Sequence, residues 1–270
     1  MATSISVRAP LRWAGSKRAL LPRLGELIPR RFDRYIEPFF GSGCLFFDQR
    51  PTRAVVGDFN AELMSFYEAL REDSTGVYDA YQSWSTDAAT YYEVRAMRPG
   101  ELTSHQRAGR FLYLNRNSFN GVYRTNRRGE FNVPMGRRTG APITAEELQS
   151  CGAALKDVSL ITGDYRTTLL EARAGDFVYV DPPYTNSARP TYGEYGYGSF
   201  GSDQDVVAFG EQLKSLSEQG VFVLLSFGSS EGLEEALSEW TVTNVNVRRS
   251  IAASTGARRA NDKEIIAWNY

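Results

Sequence analysis

The chain has 270 residues, 31 basic and 32 acidic side chains, and a formal net charge of −1. That length fits one large α/β domain or a core with one insertion. No apolar run reaches membrane-spanning length and no charged-then-apolar leader is visible, so the expectation is a soluble cytoplasmic protein with no membrane partner.

Cys44 and Cys151 lie far apart and His105 is the one histidine, so neither a disulfide framework nor a metal site is expected. Charge is polarised within the neutral total. Arg8, Arg12, Lys17, Arg18, Arg23, Arg30, Arg31 and Arg34 crowd the first thirty-four residues. Eight arginines against Glu130 alone lie between Arg107 and Arg138, and Arg248, Arg249, Arg258, Arg259 and Lys263 form a third cluster. One cluster would read as solvated helix exteriors; three point to a face for a polyanion.

In chain order, Arg12-Trp13-Ala14-Gly15-Ser16-Lys17 precedes an apolar-periodic helix predicted over 17–28, with Leu20, Leu21, Leu24, Leu27 and Ile28 inward. Next, Tyr35-Ile36-Glu37-Pro38-Phe39-Phe40-Gly41-Ser42-Gly43 runs from a short strand into a glycine turn, with a helix near 45–49. Glycines there let the backbone lie close to a ligand. A second strand, 53–58, ends in Asp58, fifteen residues after Gly43. An acid at that place holds ribose hydroxyls in Rossmann-like sites. A third glycine at dinucleotide spacing is absent, so a nucleoside cofactor without a pyrophosphate fits better than NAD.

From 61 to about 154 the pattern turns helical, with helices predicted at 61–72, 78–84, 88–97, 104–114 and 144–154. Among them, 115–138 interleaves arginine, asparagine and aromatic residues around Asn-Gly and Arg-Gly turns. A β-hairpin is predicted, of a composition that touches phosphates, reads base edges and stacks on bases. A solvent-exposed loop would explain its polarity but not its repeated aromatics.

A strand is then predicted over 158–165, with an acid and a ring, Asp164 and Tyr165, at its carboxyl end. It is followed by Phe177-Val178-Tyr179-Val180-Asp181-Pro182-Pro183-Tyr184, an apolar strand stopped by an acid, two prolines and a ring. Proline fixes φ and lacks an N–H, so the chain leaves the sheet in a stiff extended turn. The Asp181 carboxylate and the Pro182 carbonyl suit an amino group with two hydrogens to give, and Tyr184 suits a planar base. The competing reading is a plain strand end with a surface acid. A Gly/Tyr/Ser-rich mobile loop over the site at 185–204, a helix at 205–219, a strand at 221–226 and antiparallel edge strands at 241–249 and 264–268 complete the prediction.

Trp-Ala-Gly-x-Lys, Glu-Pro-Phe-x-Gly-x-Gly, the strand-two acid and Asp-Pro-Pro-Tyr, in this order, resemble the Dam-type, α-class (D12) DNA adenine-N6 methyltransferases. The hairpin at 115–136 and the stretch from Arg248-Arg249-Ser250-Ile251 to the last strand are similar to the same family, so the resemblance runs nearly end to end. It implies a mixed, Rossmann-like AdoMet-dependent methyltransferase sheet with an antiparallel last strand, formed by 1–59 and 156–270. A mostly helical target-recognition insertion, 60–155, would carry the hairpin. It implies S-adenosylmethionine (AdoMet) as donor, double-stranded DNA as substrate and a flipped adenine as acceptor; a monomer is expected.

By carry-over, Trp13, Lys17, Phe39, Gly41, Gly43, Asp58, Asp164, Tyr165 and Asp181 face the donor, and Asp181, Pro182, Pro183 and Tyr184 form the catalytic turn. Arg12, Arg116, Asn117, Phe119, Asn120, Val122, Arg124, Asn126, Pro134 and Arg137 face DNA. Arg12, Phe119, Asn120, Val122, Arg124 and Pro134 fall where the family reads GATC and fills the gap left by the flipped base. Arg12 stands for a lysine, Phe119 for a tyrosine and Val122 for a leucine of the best-known pattern, while Arg124 suits a guanine O6/N7 pair. Four other readings compete: transfer to cytosine N4, transfer to RNA adenine, an inactive DNA-binding relative, and a dinucleotide oxidoreductase. The Asp before Pro-Pro-Tyr and the hairpin count against the first two, the intact motifs against the third and the incomplete glycine pattern against the last. A repair, regulatory, phage or restriction-modification setting fits equally.

Overall fold

The computed structural model describes residues 7–137, 141–183, 203–228, 233, 235, 237–248 and 261–270. Strands β1 (Tyr35–Glu37), β2 (Ala54–Asp58), β3 (Val158–Thr162), β4 (Phe177–Val180), β5 (Phe222–Gly228), β6 (Thr241–Arg248) and β7 (Asn261–Trp268) form one sheet. Its order is β3-β2-β1-β4-β5-β7-β6. The first five strands pair in parallel, and β7 runs antiparallel between β5 and β6. The chain steps outward from β1 to β2 and β3, then returns to the far side of β1 for β4. Ligands of open α/β sheets bind at such a reversal, outside the carboxyl ends of the strands.

β4 exists because its four residues tolerate burial on both faces. Phe177, Val178 and Val180 are 0% exposed and Tyr179 1%, and burying each such side chain contributes about 1.5–3 kcal/mol. Pairing with β5 ends at Val180 opposite Leu225, just before the prolines that have no N–H to extend it.

The predicted helix at 17–28 divides into a 3₁₀ turn, Lys17–Leu20, and α1 (Leu21–Leu27). Pro22 has no N–H for the carbonyl of Arg18, so the α-ladder does not extend back through it. α2 (Cys44–Gln49) follows the glycine turn, and then come α3 (Ala61–Glu72), α4 (Ser74–Gln82), α5 (Ala88–Ala96), α6 (Ser104–Asn117) and α7 (Ala145–Ala154). Their starts are fixed by side-chain caps: Asn60, Asp73, Asp87, Thr103 and Thr144 each accept a backbone N–H of the first turn. The Asp73 cap starts α4 at Ser74, ahead of the predicted 78.

α3 buries Leu63, Met64, Phe66, Tyr67 and Leu70 at 0% exposure. These join Tyr35, Val56, Phe177 and Leu224 of the sheet with Phe111, Leu112, Ile143 and Leu148 in one hydrophobic cluster. The helices between β2 and β3 therefore share a core with one sheet face. α8 (Tyr165–Leu169) and α9 (Asp203–Glu218) cover the other face through Tyr165, Leu169, Phe209 and Leu213. The loop predicted at 185–204 lies, apart from its last two residues in α9, outside the described residues. The hairpin forms as a short one: Thr125 pairs with Phe131, and the Asn126 N–H donates to the Glu130 carbonyl at 2.9 Å. No helix is long and apolar enough to cross a membrane, and no metal-holding group of His, Cys, Asp or Glu occurs among the described residues.

Candidate active site

Three loops meet at the carboxyl edge of the sheet. The first is the glycine turn after β1, where Gly41 has φ +48° and Gly43 φ +59°. A Cβ on Gly41 would stand 2.9 Å from Trp13 Cδ1, and one on Gly43 2.6 Å from Phe40 Cζ. Only glycine meets both the conformation and the space. Asp58, 3% exposed at the end of β2, pins this turn. Its Oδ2 accepts the Gly41 N–H and its Oδ1 the Asn60 N–H, both at 2.9 Å. The buried Tyr67 hydroxyl donates to the Gly41 carbonyl at 2.9 Å.

The second loop is the acid turn after β4. Lys17, 3% exposed, donates to Asp181 Oδ1 at 2.6 Å and to the Gly15 carbonyl at 3.1 Å. Glu264 of β7 brings its Oε2 to 3.9 Å from the same ammonium. One cation thus faces two carboxylates. Burial pushes the Asp181 pKa above the ordinary aspartate value, and the opposing pull of Lys17 does not cancel it. Glu37, at the end of β1, accepts the Tyr35 hydroxyl at 2.8 Å, and burial drives its pKa well up, favouring the neutral acid.

The third loop follows β3. Asp164 caps α8 by accepting the Arg166 N–H at 3.0 Å, and the Arg166 guanidinium returns to it at 3.2 Å while lying 4.9 Å over the Tyr165 ring. Tyr165 stacks on Phe39 with centroids 5.0 Å apart. Trp13 stacks on Tyr123 at 5.8 Å.

Beside this edge lies the segment predicted to face DNA. Arg12 donates its N–H to Asn115 Oδ1 at 2.9 Å, and Asn115 Nδ2 donates to the Arg12 carbonyl at 2.7 Å. Asn120 and Gly121 both adopt positive φ, +60° and +67°, in a turn that the Val122 N–H closes onto the Phe119 carbonyl at 3.3 Å. A Cβ on Gly121 would meet Arg12 Cβ at 2.6 Å. Arg124 Nε donates to Asn132 Oδ1 at 2.8 Å. Phe119, Asn126, Pro134 and Arg137 are exposed.

Other members of the predicted set point inward. Val122 is buried, Asn117 is buried and donates to the Tyr113 carbonyl at 2.9 Å, and Arg116 donates to the Pro10 carbonyl at 3.3 Å and to the Ala141 carbonyl. Tyr123 and Phe131 pack toward Trp13 and Phe111, so core packing accounts for most of the interleaved aromatics and Phe119 alone stands out. Tyr184 lies outside the described residues. Sequence reasoning passed over Asn115 and Glu264. Glu264 had a readable signal, a lone acid at the head of the apolar run Ile265-Ile266-Ala267-Trp268.

The model of the family described as D12 class N6 adenine-specific DNA methyltransferase matches residues 13–251. The chain is 33% identical over 276 residues to the type II methyltransferase M1.LlaDCHI of Lactococcus lactis subsp. cremoris, covering 98% of this chain and 96% of that one. It is 31% identical over 265 residues to the DNA adenine methylase of Escherichia coli K12, covering 96% and 94%. It is 27% identical over 293 residues to the type II methyltransferase M.MjaIII of Methanocaldococcus jannaschii, covering 98% and 100%. The chain belongs to the D12 class of N6 adenine-specific DNA methyltransferases.

Proposed function

We propose that this protein transfers the methyl group of AdoMet to N6 of an adenine flipped out of double-stranded DNA, within GATC or a closely related site. The observation that carries the reading is the Lys17–Asp181 pair at 2.6 Å, which fixes a carboxylate at the end of β4 beside the Pro182 carbonyl. In this reading 1–59 and 156–270 bind the donor and perform the transfer, and 60–155 reads the duplex, as a monomer.

The residues present suit the donor. Gly41 and Gly43 offer backbone without a Cβ, and Asp58 stands at the end of β2, where ribose hydroxyls are held. Lys17, Asp181 and Glu264 together leave one negative charge in excess, which suits a cation. When bound, AdoMet supplies an electrophilic methyl on a sulfonium.

The chain's own residues then act on the base. The adenine amino nitrogen is a poor nucleophile because its lone pair is delocalised into the ring. Asp181 accepts one of its hydrogens and the Pro182 carbonyl the other, which draws the nitrogen toward tetrahedral geometry and turns its lone pair toward the methyl. That is positioning and electrostatic stabilisation rather than strong base catalysis. Tyr184 stacks on the extruded adenine, whose flipping costs a few kcal/mol. Arg12 and Arg124 donate to base edges, and the exposed Phe119 stacks in the gap.

The test is incubation with AdoMet and plasmid DNA free of adenine methylation, followed by single-molecule mapping. N6-methyladenine confined to GATC is the expected result. N6-methyladenine elsewhere discards the reading of Arg12 and Arg124 but keeps the chemistry. Duplex binding without any modified adenine discards the chemistry.

A further inference from the structure

One buried group of the site has no part in the reaction as described. Glu264 is 3% exposed, and its Oε2 has no hydrogen-bond partner. It sits on β7 in register with Gly228 of β5 and Val245 of β6, so the sheet on both sides fixes its place. A buried carboxylate oxygen without a donor is unfavourable and rare in native chains. The cation that faces it, Lys17 at 3.9 Å, already donates to Asp181 Oδ1 and to the Gly15 carbonyl. Among the described residues no other cation pairs with either carboxylate. Burial raises the pKa of the nearby Glu37, Cys44 and Tyr179, and none of them can supply a positive charge. Among the described residues, Lys17, Asp181 and Glu264 therefore sum to a formal charge of −1.

We propose that Glu264 is the charge-selectivity residue of the donor pocket, the counter-charge that favours a cationic sulfonium over the neutral sulfide left after transfer. The inference rests on the reading of Asp181 as acceptor of the target amino group. In-line attack requires the methyl carbon within about 3–3.5 Å of that nitrogen, which brings the sulfonium into the field of the Lys17–Asp181–Glu264 cluster. In a water-excluded pocket a unit charge acts over several ångströms. Transfer removes the cation: the N6–CH₃ bond forms, the S–CH₃ bond breaks, and its electron pair remains on sulfur as a neutral sulfide. The positive charge passes to N6 and leaves with its proton to solvent. Glu264 then has no sulfonium to retain, which speeds release of the used donor.

The experiment is calorimetric titration of the full chain with AdoMet and, separately, with S-adenosylhomocysteine, for wild type, E264Q and E264D, with thermal unfolding to verify folding. E264Q should weaken AdoMet binding about tenfold, the order expected for one charge at this range, while S-adenosylhomocysteine binding changes less than about twofold. E264D, which keeps the charge, should retain most of the preference. Equal weakening of both ligands assigns Glu264 to the fold alone, and no change in either removes it from the pocket; both overturn the proposal. If E264Q does not fold, E264D decides: loss of the preference with the charge retained makes packing, not charge, responsible. Wild-type protein that binds neither ligand overturns the reading of the donor site itself, and this inference with it.

Discussion

Replacing Lys17 by methionine tests whether one buried cation holds the site together. Its ammonium is 3% exposed, 2.6 Å from Asp181 Oδ1 and 3.9 Å from Glu264 Oε2. Methionine keeps the stem and removes the charge, leaving the buried Glu264 and the mostly buried Asp181, 19% exposed, without a counter-ion. Removing one partner of a buried pair costs about 3–5 kcal/mol. Protonation relieves part of that. Burial already raises the Asp181 pKa and Lys17 opposes the rise, so without Lys17 it moves further up. The folded variant then holds a proton that the unfolded chain, with an aspartate pKa near 3.9, has released. More protons bound in the folded state means that stability falls as pH rises from about 4 through the raised folded pKa, and returns on acidification. The expected loss near pH 8 is roughly 3 kcal/mol, or a Tm lower by about 6–12 °C for a chain of this size, and clearly less near pH 5. Scanning calorimetry of wild type and K17M at both pH values is the assay. An equal loss at the two pH values, or a loss under about 2 °C near pH 8, refutes the buried-pair argument.

Asp181→Asn abolishes methylation while duplex binding persists, measured by methyl transfer and by electrophoretic mobility shift; near wild-type turnover removes Asp181 from the mechanism. On the proposed mechanism the ionised carboxylate is the acceptor, and its pKa is raised chiefly by burial, so the acid limb of kcat/KM lies above the ordinary aspartate range; a limb at or below about 4 contradicts this. Gly41→Ala places a Cβ 2.9 Å from Trp13 Cδ1 at φ +48°, a strain of about 1–3 kcal/mol that lowers Tm and weakens AdoMet binding; an unchanged Kd argues against a donor at this turn. Asn115→Ala breaks both bonds to the Arg12 backbone, costs about 1–3 kcal/mol of stability and raises the Kd for duplex more than that for AdoMet. A larger effect on AdoMet reverses that assignment.

Local chemistry made much of the fold legible. β4 could be read because an apolar run buried on both faces and its Pro-Pro stop are both properties of adjacent residues. The split of the first helix and the early start of α4 were legible in principle, since Pro22 and the Asp73 cap are local too. What stayed hidden depended on distant partners. The arginine count overstated the basic face because Arg107 pairs with Glu62, Arg110 donates to the Val94 and Arg95 carbonyls, and Arg116 donates to the Pro10 and Ala141 carbonyls. The hairpin turn was readable from Asn-Gly and Arg-Gly, but the inward fate of Tyr123 was not, because Trp13 lies far away in the chain. Glu264 becomes meaningful only once β7 is set beside β5.

The same long-range contacts link the proposed donor site to the segment proposed to read the duplex. Arg12 and Trp13 share a peptide bond. Asn115 clamps the main chain of Arg12 from both sides, at 2.9 and 2.7 Å, while the Trp13 ring covers the face of Gly41 on which a Cβ would fall. Trp13 also stacks on Tyr123, which follows the Asn120-Gly121 turn by two residues. Two short contact routes therefore join the 119–123 segment to the glycine turn, one through the Arg12 backbone and one through the Tyr123 ring. Gly41 in turn is held by Asp58, at the end of β2, and by Tyr67. Asp181 lies on neither route; its carboxylate answers to Lys17 and, across it, to Glu264. On the proposed reading, the contacts around Arg12 and Tyr123 belong to the duplex side and the Asp181 carboxylate to the amino group, and Lys17, four residues beyond Trp13, joins the two.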